Sequence, residues 1–280
     1  MRQLLLCSDL DRTILPNGAP PESPRARPLL HTLANRPEVT LAYVSGRHLA
    51  LLREAIARFA IPVPNYAIGD VGTTIYEVHG KGDWRPWHEW SEEIAPDWDG
   101  ACHADLSQLF CDLDVLRLQE KEKQNTFKLS FYTPQNVERE PLLAEMDARL
   151  QGQGVRASLI WSVDEAARVG LLDVLPASAT KLHAVRFLME RKGFADCDTV
   201  FAGDSGNDLP VLTSGLQSVL VRNAHREVRD EAFAMLAPQG LSDRLYVAAG
   251  GWLGMNGNYS AGVLEGVVHF FPEAQHWLTA

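Results

Sequence analysis

The sequence predicts an α/β fold in which a parallel-sheet core is interrupted by a smaller α+β insert. Short apolar runs and helical spacings alternate along the first ninety residues, and this alternation is typical of a parallel sheet. The character changes between about Trp90 and Pro176, where strand-like segments follow one another, and the alternation then resumes. We therefore predict a discontinuous core over residues 1–90 and 176–280 and an inserted domain over residues 91–175.

The first part of the core begins with a buried strand. Residues 3–8 form an apolar run bounded by turn residues, the pattern of a strand buried on both faces, and this run places Asp9 at its carboxyl end. The elements predicted after it are helices over residues 28–35 and 48–59, strands over 39–44 and 66–68, and a β-rich segment over 73–78 that pairs with 84–90.

The same patterns predict the elements of the insert and of the second part of the core. The insert is predicted to hold helices over residues 99–112 and 137–151 and strands over 126–132, 157–163 and 167–174. The core then resumes with helices over residues 181–192, 208–213, 225–233 and 260–270 and strands over 199–202 and 218–221.

The composition is that of an ordinary globular protein of 280 residues, with 46% hydrophobic and 22% charged residues. The formal net charge is −10 and the basic residues form no run, which argues against nucleic acid as a partner. The four cysteines are far apart without a CxxC pair, no secretory signal precedes them, and no apolar run reaches the roughly 18 residues of a spanning helix. We therefore expect a cytoplasmic protein with neither a membrane nor a nucleic-acid partner. Its oligomeric state stays open, with a monomer as the first choice.

Two acidic loops each follow a hydrophobic strand. Asp9 and Asp11 follow the first strand, and Asp204 and Asp208 follow a later one. Because ligand sites in parallel sheets lie beyond the carboxyl ends of the strands, we expect these carboxylates to meet. Adjacent carboxylates repel each other unless a cation intervenes, and a hard cation such as Mg²⁺ binds both carboxylates and phosphate oxygens. The plainer alternatives are an acidic turn after the first strand and a helix N-cap at the second loop.

Two further segments could bind an anion. Ser45, Gly46 and Arg47 place a hydroxyl and backbone N–H groups at a strand end just before a helix, although a serine N-cap is the commoner explanation. Lys181 begins a helix, where the helix dipole disfavours a cation. Such a lysine is usually just solvated, but beside carboxylates it would neutralise the charge of a transferring phosphoryl group.

Together these segments resemble, in order and spacing, the four motifs of the haloacid dehalogenase superfamily of phosphatases. The resemblance covers the whole chain: the parallel core is similar to the Rossmann-like domain of that superfamily, and the insert is similar to its α/β type of cap. Within the superfamily the chain is most similar to sucrose-phosphate phosphatases. The segments that carry this closer likeness are residues 4–11, 203–208, 221–224 and 261–265, with His269 and Phe270.

The resemblance implies a Mg²⁺-dependent phosphomonoesterase that acts on a sugar phosphate, with sucrose 6-phosphate or a related disaccharide phosphate as the first choice. It implies that Asp9 is the nucleophile, which forms an aspartyl-phosphate, and that Asp11 is the general acid and base. Ser45 and Lys181 would hold the phosphoryl oxygens. The remaining implied roles are metal ligation by Asp9, the backbone carbonyl of Asp11, Asp204 and Asp208, and support of the phosphate and the loops by Thr13, Gly46, Arg47 and Asn207.

The chain departs from the usual pattern of sucrose-phosphate phosphatases at three positions. Arg12 stands where these enzymes usually carry Asn, Ser45 replaces the commoner Thr, and Thr74 replaces a Glu. Thr74 is expected near the bound sugar, and Lys128 of the insert resembles a sugar-contacting lysine. Both are candidate substrate contacts, although Lys128 could also be an ordinary surface lysine on a strand.

Two other functions stay open at this point. A broad hexose-phosphate phosphatase, or one acting on a mannosyl- or glucosyl-glycerate type of phosphate, would use the same chemistry on another substrate. A phospho-aspartate receiver of a signalling pathway also uses strand-end aspartates, Mg²⁺ and a lysine. Such receivers are much shorter, carry no large insert and need no second acid at the position of Asp11, so they fit this chain less well.

Overall fold

The protein is described from a computed structural model, which covers residues 2–80, 82–164 and 167–279. Its chain divides into two compact units. The larger unit, here called the core, comprises Met1–Pro86 and Lys181–Ala280, and the smaller unit, the insert, comprises Trp87–Thr180. The boundaries predicted from the sequence, at residues 90 and 176, differ from these by a few residues.

Helices and strands follow one another largely in the predicted order. The first part of the core contains β1 (Leu4–Ser8), α1 (Ala26–Ala34), β2 (Val39–Val44), α2 (Leu49–Phe59), β3 (Tyr66–Gly69), β4 (Thr74–His79) and β5 (Asp83–Pro86). The insert contains α3 (His88–Ile94), α4 (His103–Leu109), β6 (Arg117–Leu118), β7 (Leu129–Pro134), α5 (Arg139–Gly152), β8 (Ala157–Asp164) and β9 (Val169–Pro176). The second part of the core contains α6 (Lys181–Lys192), β10 (Thr199–Gly203), α7 (Leu209–Leu212), β11 (Gln217–Leu220), α8 (Arg226–Leu236), β12 (Leu245–Val247), α9 (Ser260–Phe270) and α10 (Ala274–Thr279).

The described residues of the core form one eight-stranded sheet, in the order β12-β11-β10-β1-β2-β3-β4-β5. The strands from β12 to β3 are parallel, whereas β4 and β5 pair antiparallel at one edge. The neighbours of β1, which are β2 and β10, lead to opposite edges of the sheet. In open parallel sheets, ligands bind beyond the carboxyl ends of the strands at such a reversal of strand order. The predicted parallel-sheet core is confirmed.

The burial of β1 fixes the position of the first acidic loop. All five residues of this strand are buried, as expected for a parallel strand covered on both faces. Leu4 and Leu6 belong to an apolar cluster that also contains Leu30 of α1 and Val263 of α9. Because both ends of the strand are held in this way, the residue that follows it has a defined place.

The helices of the core are short and pack against its apolar interior. Helix α1 buries Ala26, Leu30 and Leu33, and α9 is buried over residues 260–267. Helix α9 itself packs closely on the sheet, since a Cβ at Gly266 of this helix would lie 2.2 Å from the side chain of Val219 in β11. Of the helices within the described residues, none is both long and apolar enough to cross a membrane.

The described residues of the insert form an antiparallel sheet of four strands, in the order β6-β7-β9-β8. Leu129 and Phe131 of β7 belong to an apolar cluster of the insert's own, together with Met146 and Leu150 of α5. Alternate residues of β7 therefore face one helix-covered side, which is the period-two pattern read from the sequence. The insert has the predicted α+β character.

The predicted strand over residues 84–90 is too long. Strand β5 ends at Pro86, and α3 begins at His88. Proline has no backbone N–H to donate to a strand ladder, so the pairing with β4 stops there. The three-residue strand β12 at the far edge of the sheet is not predicted, because so short a segment has no readable periodicity.

Two predicted helices are shorter than expected. Of the helix predicted over residues 99–112, only His103–Leu109 is α-helical, because Asp99 has a left-handed φ of 48° and ends the preceding turn. The helix predicted over residues 208–213 is a 3₁₀ turn followed by Leu209–Leu212. Aspartate favours turns of this kind, because its side chain bonds to nearby backbone groups and tolerates the left-handed region.

Candidate active site

The two acidic loops lie at the carboxyl ends of neighbouring strands. Asp9 follows β1 directly, and its backbone N–H donates to the carbonyl oxygen of Ala202 in β10 at 2.9 Å. Asp204 follows β10 directly. Because β1 and β10 pair in parallel, segments that are distant in the sequence meet at one edge of the sheet.

Three buried carboxylates form a cluster at this edge. Asp9, Asp204 and Asp208 each offer an oxygen within 4.8 Å of the others. Gly203 permits this approach, since a Cβ there would lie 2.7 Å from the carboxylate of Asp208. Oδ2 of Asp208 accepts hydrogen bonds from the backbone N–H groups of Asp204 and Ser205, each at 3.2 Å. The second acidic loop therefore caps the helical turn that follows it, as predicted, and also contributes a carboxylate to the cluster.

Burial and mutual repulsion oppose the ionisation of these carboxylates. Burial raises the pKa of Asp9 to about 7, because the charge of Lys181 offsets it only in part. Burial, together with the negative charge of Asp208, raises the pKa of Asp204 to about 6. A cation bound among them would favour the charged forms. Carboxylate oxygens gathered in this way suit a hard cation, so the residues present fit the Mg²⁺ that the resemblance implies.

Lys181 supplies a fixed positive charge at the cluster. It is the first residue of α6, and its Nζ lies 2.8 Å from Oδ1 of Asp9 and 2.7 Å from Oδ1 of Asp208. Burial alone would lower the pKa of Lys181, but the two carboxylates raise it above its usual value, so the lysine stays protonated. The side chain is only 9% exposed, so the alternative of an ordinary solvated lysine is wrong.

The side chain of Asp11 binds a different partner. Nε and Nη2 of Arg47 donate to its two carboxylate oxygens at 2.8 and 2.6 Å, and Nδ2 of Asn17 donates to Oδ1 at 2.7 Å. Burial alone would raise the pKa of Asp11, but the hydrogen bonds and charge of Arg47 lower it below its usual value. Asp11 is thus held as a carboxylate beside the cluster. Its expected metal contact is through the backbone carbonyl, and that contact stays a prediction.

The loop after β2 contributes a hydroxyl and backbone N–H groups. Ser45 is buried, and its Oγ accepts a hydrogen bond from the backbone N–H of Arg47 at 3.2 Å. This loop and the acidic loops surround a cavity of about 480 Å³. The cavity is lined by Asp9, Asp11, Arg12, Ser45, Gly46, Arg47, Leu51, Asp204, Ser205, Gly206, Asn207, His225 and Val228.

Thr13 and Asn207 support the two acidic loops. Thr13 is buried, and its Oγ1 donates to Oδ1 of Asp204 at 3.2 Å. Oδ1 of Asn207 accepts from the hydroxyl of Ser205 at 2.8 Å and lies 3.5 Å from Nζ of Lys181. The core residues predicted from the four motifs are therefore brought together at one edge of the sheet.

Sequence reasoning missed several polar residues that join these loops. Asn17 binds Asp11, as described above. Nδ2 of Asn223 donates to the carbonyl oxygen of Arg12 at 2.6 Å, and its Oδ1 accepts from the backbone N–H of Tyr259 at 2.8 Å. Asn223 and His225 are polar residues just after the buried strand β11, and that signal could have identified them.

The two candidate sugar contacts lie in different units. Thr74 begins β4 of the core, where it pairs with Gly69 of β3. Lys128 of the insert is 7% exposed, and its Nζ lies 3.9 Å from Oδ1 of Asp173. The alternative that Lys128 is a surface lysine is therefore wrong, whereas contact with a sugar stays a prediction for both residues.

Comparison with known proteins establishes the family. A family model described as sucrose-6F-phosphate phosphohydrolase matches residues 2–271. The chain belongs to this family. The match confirms the resemblance to the haloacid dehalogenase superfamily, and the protein is accordingly a phosphatase.

Individual relatives agree with the family. A haloacid dehalogenase-like hydrolase of Nitrosococcus oceani is 58% identical over 277 residues, which are 99% of this chain and 74% of that protein. Mannosylfructose-phosphate phosphatase of Agrobacterium fabrum is 28% identical over 80% of this chain and 85% of its own length. The structure of the sucrose-phosphatase of a Synechocystis species, in complex with sucrose and phosphate, is similar with a TM-score of 0.69 and 25% sequence identity. That similarity covers 96% of this chain and 98% of the other.

Proposed function

We propose that the protein is a Mg²⁺-dependent phosphomonoesterase that hydrolyses a phosphorylated disaccharide, with sucrose 6-phosphate as the first candidate. The observation that carries the proposal is the cluster of Asp9, Asp204 and Asp208, of which Asp9 and Asp208 bind the ammonium group of Lys181. Carboxylates whose pKa values are raised by burial and repulsion mark sites that work on charged ligands. Family membership supplies the reaction class.

The proposed metal ligands are Asp9, Asp204 and Asp208, with the backbone carbonyl of Asp11. Bound Mg²⁺ would stabilise the negative charge that develops on the transferring phosphoryl group. The hydrogen bond from Thr13 to Asp204 holds one of these ligands in place. The backbone N–H groups that bind Asp208 do the same for another.

Asp9 is the proposed nucleophile. Lys181 already binds its Oδ1, so Oδ2 is the oxygen that attacks phosphorus. The phosphorus–oxygen bond to the sugar breaks as the aspartyl-phosphate forms, and the sugar oxygen takes a proton from Asp11. Water then attacks the aspartyl-phosphate, gives its proton to Asp11 and releases inorganic phosphate, which restores Asp9. Lys181 and Ser45 bind the equatorial phosphoryl oxygens throughout.

The contact between Arg47 and Asp11 suits the second half of this cycle. A carboxylate with a lowered pKa is ionised and ready to accept the proton of water. For the first half Asp11 must carry a proton. A dianionic phosphate in the cavity would oppose the charge of Arg47 and raise the pKa of Asp11, so substrate binding itself prepares the acid.

Two relatives support a disaccharide phosphate as the substrate. One is a sucrose-phosphatase bound to sucrose and phosphate, and the other is a mannosylfructose-phosphate phosphatase. Mannosylfructose phosphate is therefore the second candidate substrate. A broad hexose-phosphate phosphatase, or one specific for mannosyl- or glucosyl-glycerate phosphates, would share the core residues and differ at the sugar contacts, for which Thr74 and Lys128 are our candidates.

The signalling alternative is less well supported. Membership of a phosphohydrolase family across nearly the whole chain favours an enzyme over a phospho-aspartate receiver. The side chain of Asp11, held beside Asp9 by Arg47, is the second acid that turnover requires and that a receiver does not need.

A phosphate-release assay tests this function. The purified protein is incubated with sucrose 6-phosphate, mannosylfructose phosphate, a glucosylglycerate phosphate and glucose 6-phosphate, with Mg²⁺ or with a chelator. We expect phosphate release that requires Mg²⁺, with the highest kcat/KM on a disaccharide phosphate. Equal kcat/KM across the panel would contradict the disaccharide specificity, and release unaffected by the chelator would contradict the metal site.

A further inference from the structure

Arg12 has a backbone conformation that disfavours it. Its φ is 60°, in the left-handed region that Gly and Asn adopt more readily than residues with long side chains. The backbone is clamped on both sides: the N–H of Arg12 donates to Oδ1 of Asn17 at 2.8 Å, and its carbonyl accepts from Asn223 at 2.6 Å. Nothing in the backbone conformation therefore favours an arginine over a shorter residue at this position.

The side chain of Arg12 is directed at the acidic cluster. Nε lies 3.3 Å from Oδ2 of Asp204, whose side chain is 3% exposed. The far end of the guanidinium lies against Asn223 and His225, with Nη2 3.4 Å from the carbonyl oxygen of Asn223 and 3.3 Å from Nε2 of His225. The positive charge of Arg12 is thus fixed next to one member of the carboxylate cluster.

The contact acts through charge and not through an aligned hydrogen bond. Among the residues that the structure describes, buried Nε of Arg12 has no hydrogen-bond partner of acceptable geometry, although Oδ2 of Asp204 is close. The other oxygen of Asp204 accepts from the hydroxyl of Thr13 at 3.2 Å. Thr13 therefore orients Asp204, and Arg12 adds an electrostatic interaction to a carboxylate that is already in place.

We propose that Arg12 competes with the metal ion for Asp204 and lowers the affinity of the free protein for Mg²⁺. This inference rests on the metal site of the proposed function. A cation bound to the cluster would share the negative charge of Asp204 with the guanidinium and would be repelled by it. In the metal-free protein the same guanidinium reduces the repulsion among Asp9, Asp204 and Asp208, so the empty cluster is stabilised at the expense of the filled one.

Titration of the whole protein with Mg²⁺ by isothermal calorimetry tests the inference without an activity assay. Arg12→Asn removes the charge and suits the left-handed backbone, Arg12→Gln removes the charge and keeps a longer side chain, and Arg12→Lys keeps the charge. We expect both neutral variants to bind Mg²⁺ about tenfold more tightly than the unaltered protein, and the lysine variant to stay within about threefold of it. Arg226→Gln is the matched control, because this arginine is 80% exposed and pairs with Asp230; its affinity should not change.

The two proposals fail in different ways. Equal Mg²⁺ affinity in the unaltered protein and both neutral variants overturns the role of Arg12 and leaves the metal site standing. Tighter binding by the lysine variant, as strong as that of the neutral ones, shows that the shape of Arg12 matters and not its charge, and also overturns the inference. Failure of every form to bind Mg²⁺ overturns the metal site and the inference with it.

Discussion

The core and the insert both bury carboxylates, but the partners of these carboxylates differ between the two units. In the core, Asp9, Asp204 and Asp208 lie together in one cluster, and burial raises the pKa values of Asp9 and Asp204. In the insert, Asp97 is 3% exposed and has fixed donors: the backbone N–H of Ser178 at 2.6 Å and the guanidinium of Arg156 at 2.5 Å. A buried carboxylate with such donors is costly to disrupt, whereas a cluster of like charges is completed only when a cation or an anionic substrate arrives. The clustered carboxylates of the core are therefore the ones that we associate with function.

The largest effect is expected from removing the charge of Asp9. Asp9→Asn should lower kcat at least about a thousandfold, because the amide cannot form the aspartyl-phosphate. It should leave the metal-free protein as stable as before or more stable, because it removes repulsion from the cluster. The measurements are phosphate release and thermal unfolding in the presence of a chelator.

Asp230→Asn is the matched control for this substitution. Asp230 is an exposed carboxylate of α8 that pairs with Arg226 and Arg229, so its amide variant should keep full activity. A variant of Asp9 that unfolds at a clearly lower temperature would show that this carboxylate is mainly structural, and the contrast between the two units would be lost.

Much of the core was predictable because its signals are local. The apolar run of β1, followed at once by Asp9 and Asp11, can be read without knowledge of distant residues. The order of the motifs then placed Lys181 and Asp204 at the same edge of the sheet, where the structure brings them together.

The partners of these residues were less predictable because they depend on packing between distant segments. The pair of Asp11 with Arg47 joins residues 36 positions apart, and the pair of Arg12 with Asp204 joins the two acidic loops. The sequence presents Arg47 equally well as a phosphate ligand. Only the path of the loops in space shows that its guanidinium binds Asp11.

The insert should respond to loss of a buried charge in the opposite way. Asp97→Ala should lower the stability of the insert by roughly 1–3 kcal/mol, because the backbone N–H of Ser178 loses a charge-assisted hydrogen bond and Arg156 loses its partner. We expect kcat on a small aryl phosphate to be unchanged at temperatures where the insert stays folded. Thermal unfolding and a steady-state assay measure the two effects.

Asp112→Ala is the control within the same unit. Asp112 also pairs with an arginine, Arg149, but its side chain is 64% exposed, and exposed ion pairs contribute little to stability. Its effect on unfolding should be clearly smaller than that of Asp97→Ala. Equal effects of the two substitutions would contradict the importance that we give to burial.

The stability of the metal-free protein should depend on pH in the direction set by the clustered acids. In the folded protein the pKa is about 7 for Asp9 and about 6 for Asp204, whereas the ordinary value for aspartate is 3.8. A raised pKa means that the folded state binds protons more tightly than the unfolded chain, so stability falls as the pH rises through these values. Lowering the pH from about 8 to about 5 in the presence of a chelator should raise Tm by roughly 3–8 °C.

Asp204→Asn and added Mg²⁺ separate the cluster from other titrating groups. The amide variant should show a smaller rise in Tm over the same range, since one of the two raised acids is gone. Saturating Mg²⁺ should stabilise the protein most at high pH, where the carboxylates are ionised, and so flatten or reverse the trend. A Tm of the metal-free protein that is higher at about pH 8 than at about pH 5 would contradict the strained cluster.

The smallest expected effect comes from Lys128, a buried charge of the insert that, unlike Asp97, has no close charged partner among the residues that the structure describes. The ammonium of Lys128 is buried, but it lies 3.9 Å from Asp173, beyond hydrogen-bond distance, and the hydroxyl of Ser130 also bonds to that carboxylate. Lys128 is our candidate sugar contact in the insert. Lys128→Gln should therefore raise KM for sucrose 6-phosphate about threefold to tenfold and leave KM for a small aryl phosphate unchanged. Asp173→Asn is the control. If loss of this carboxylate changes KM as much as loss of the lysine, the pair is structural, and Lys128 has the same kind of role as Asp97.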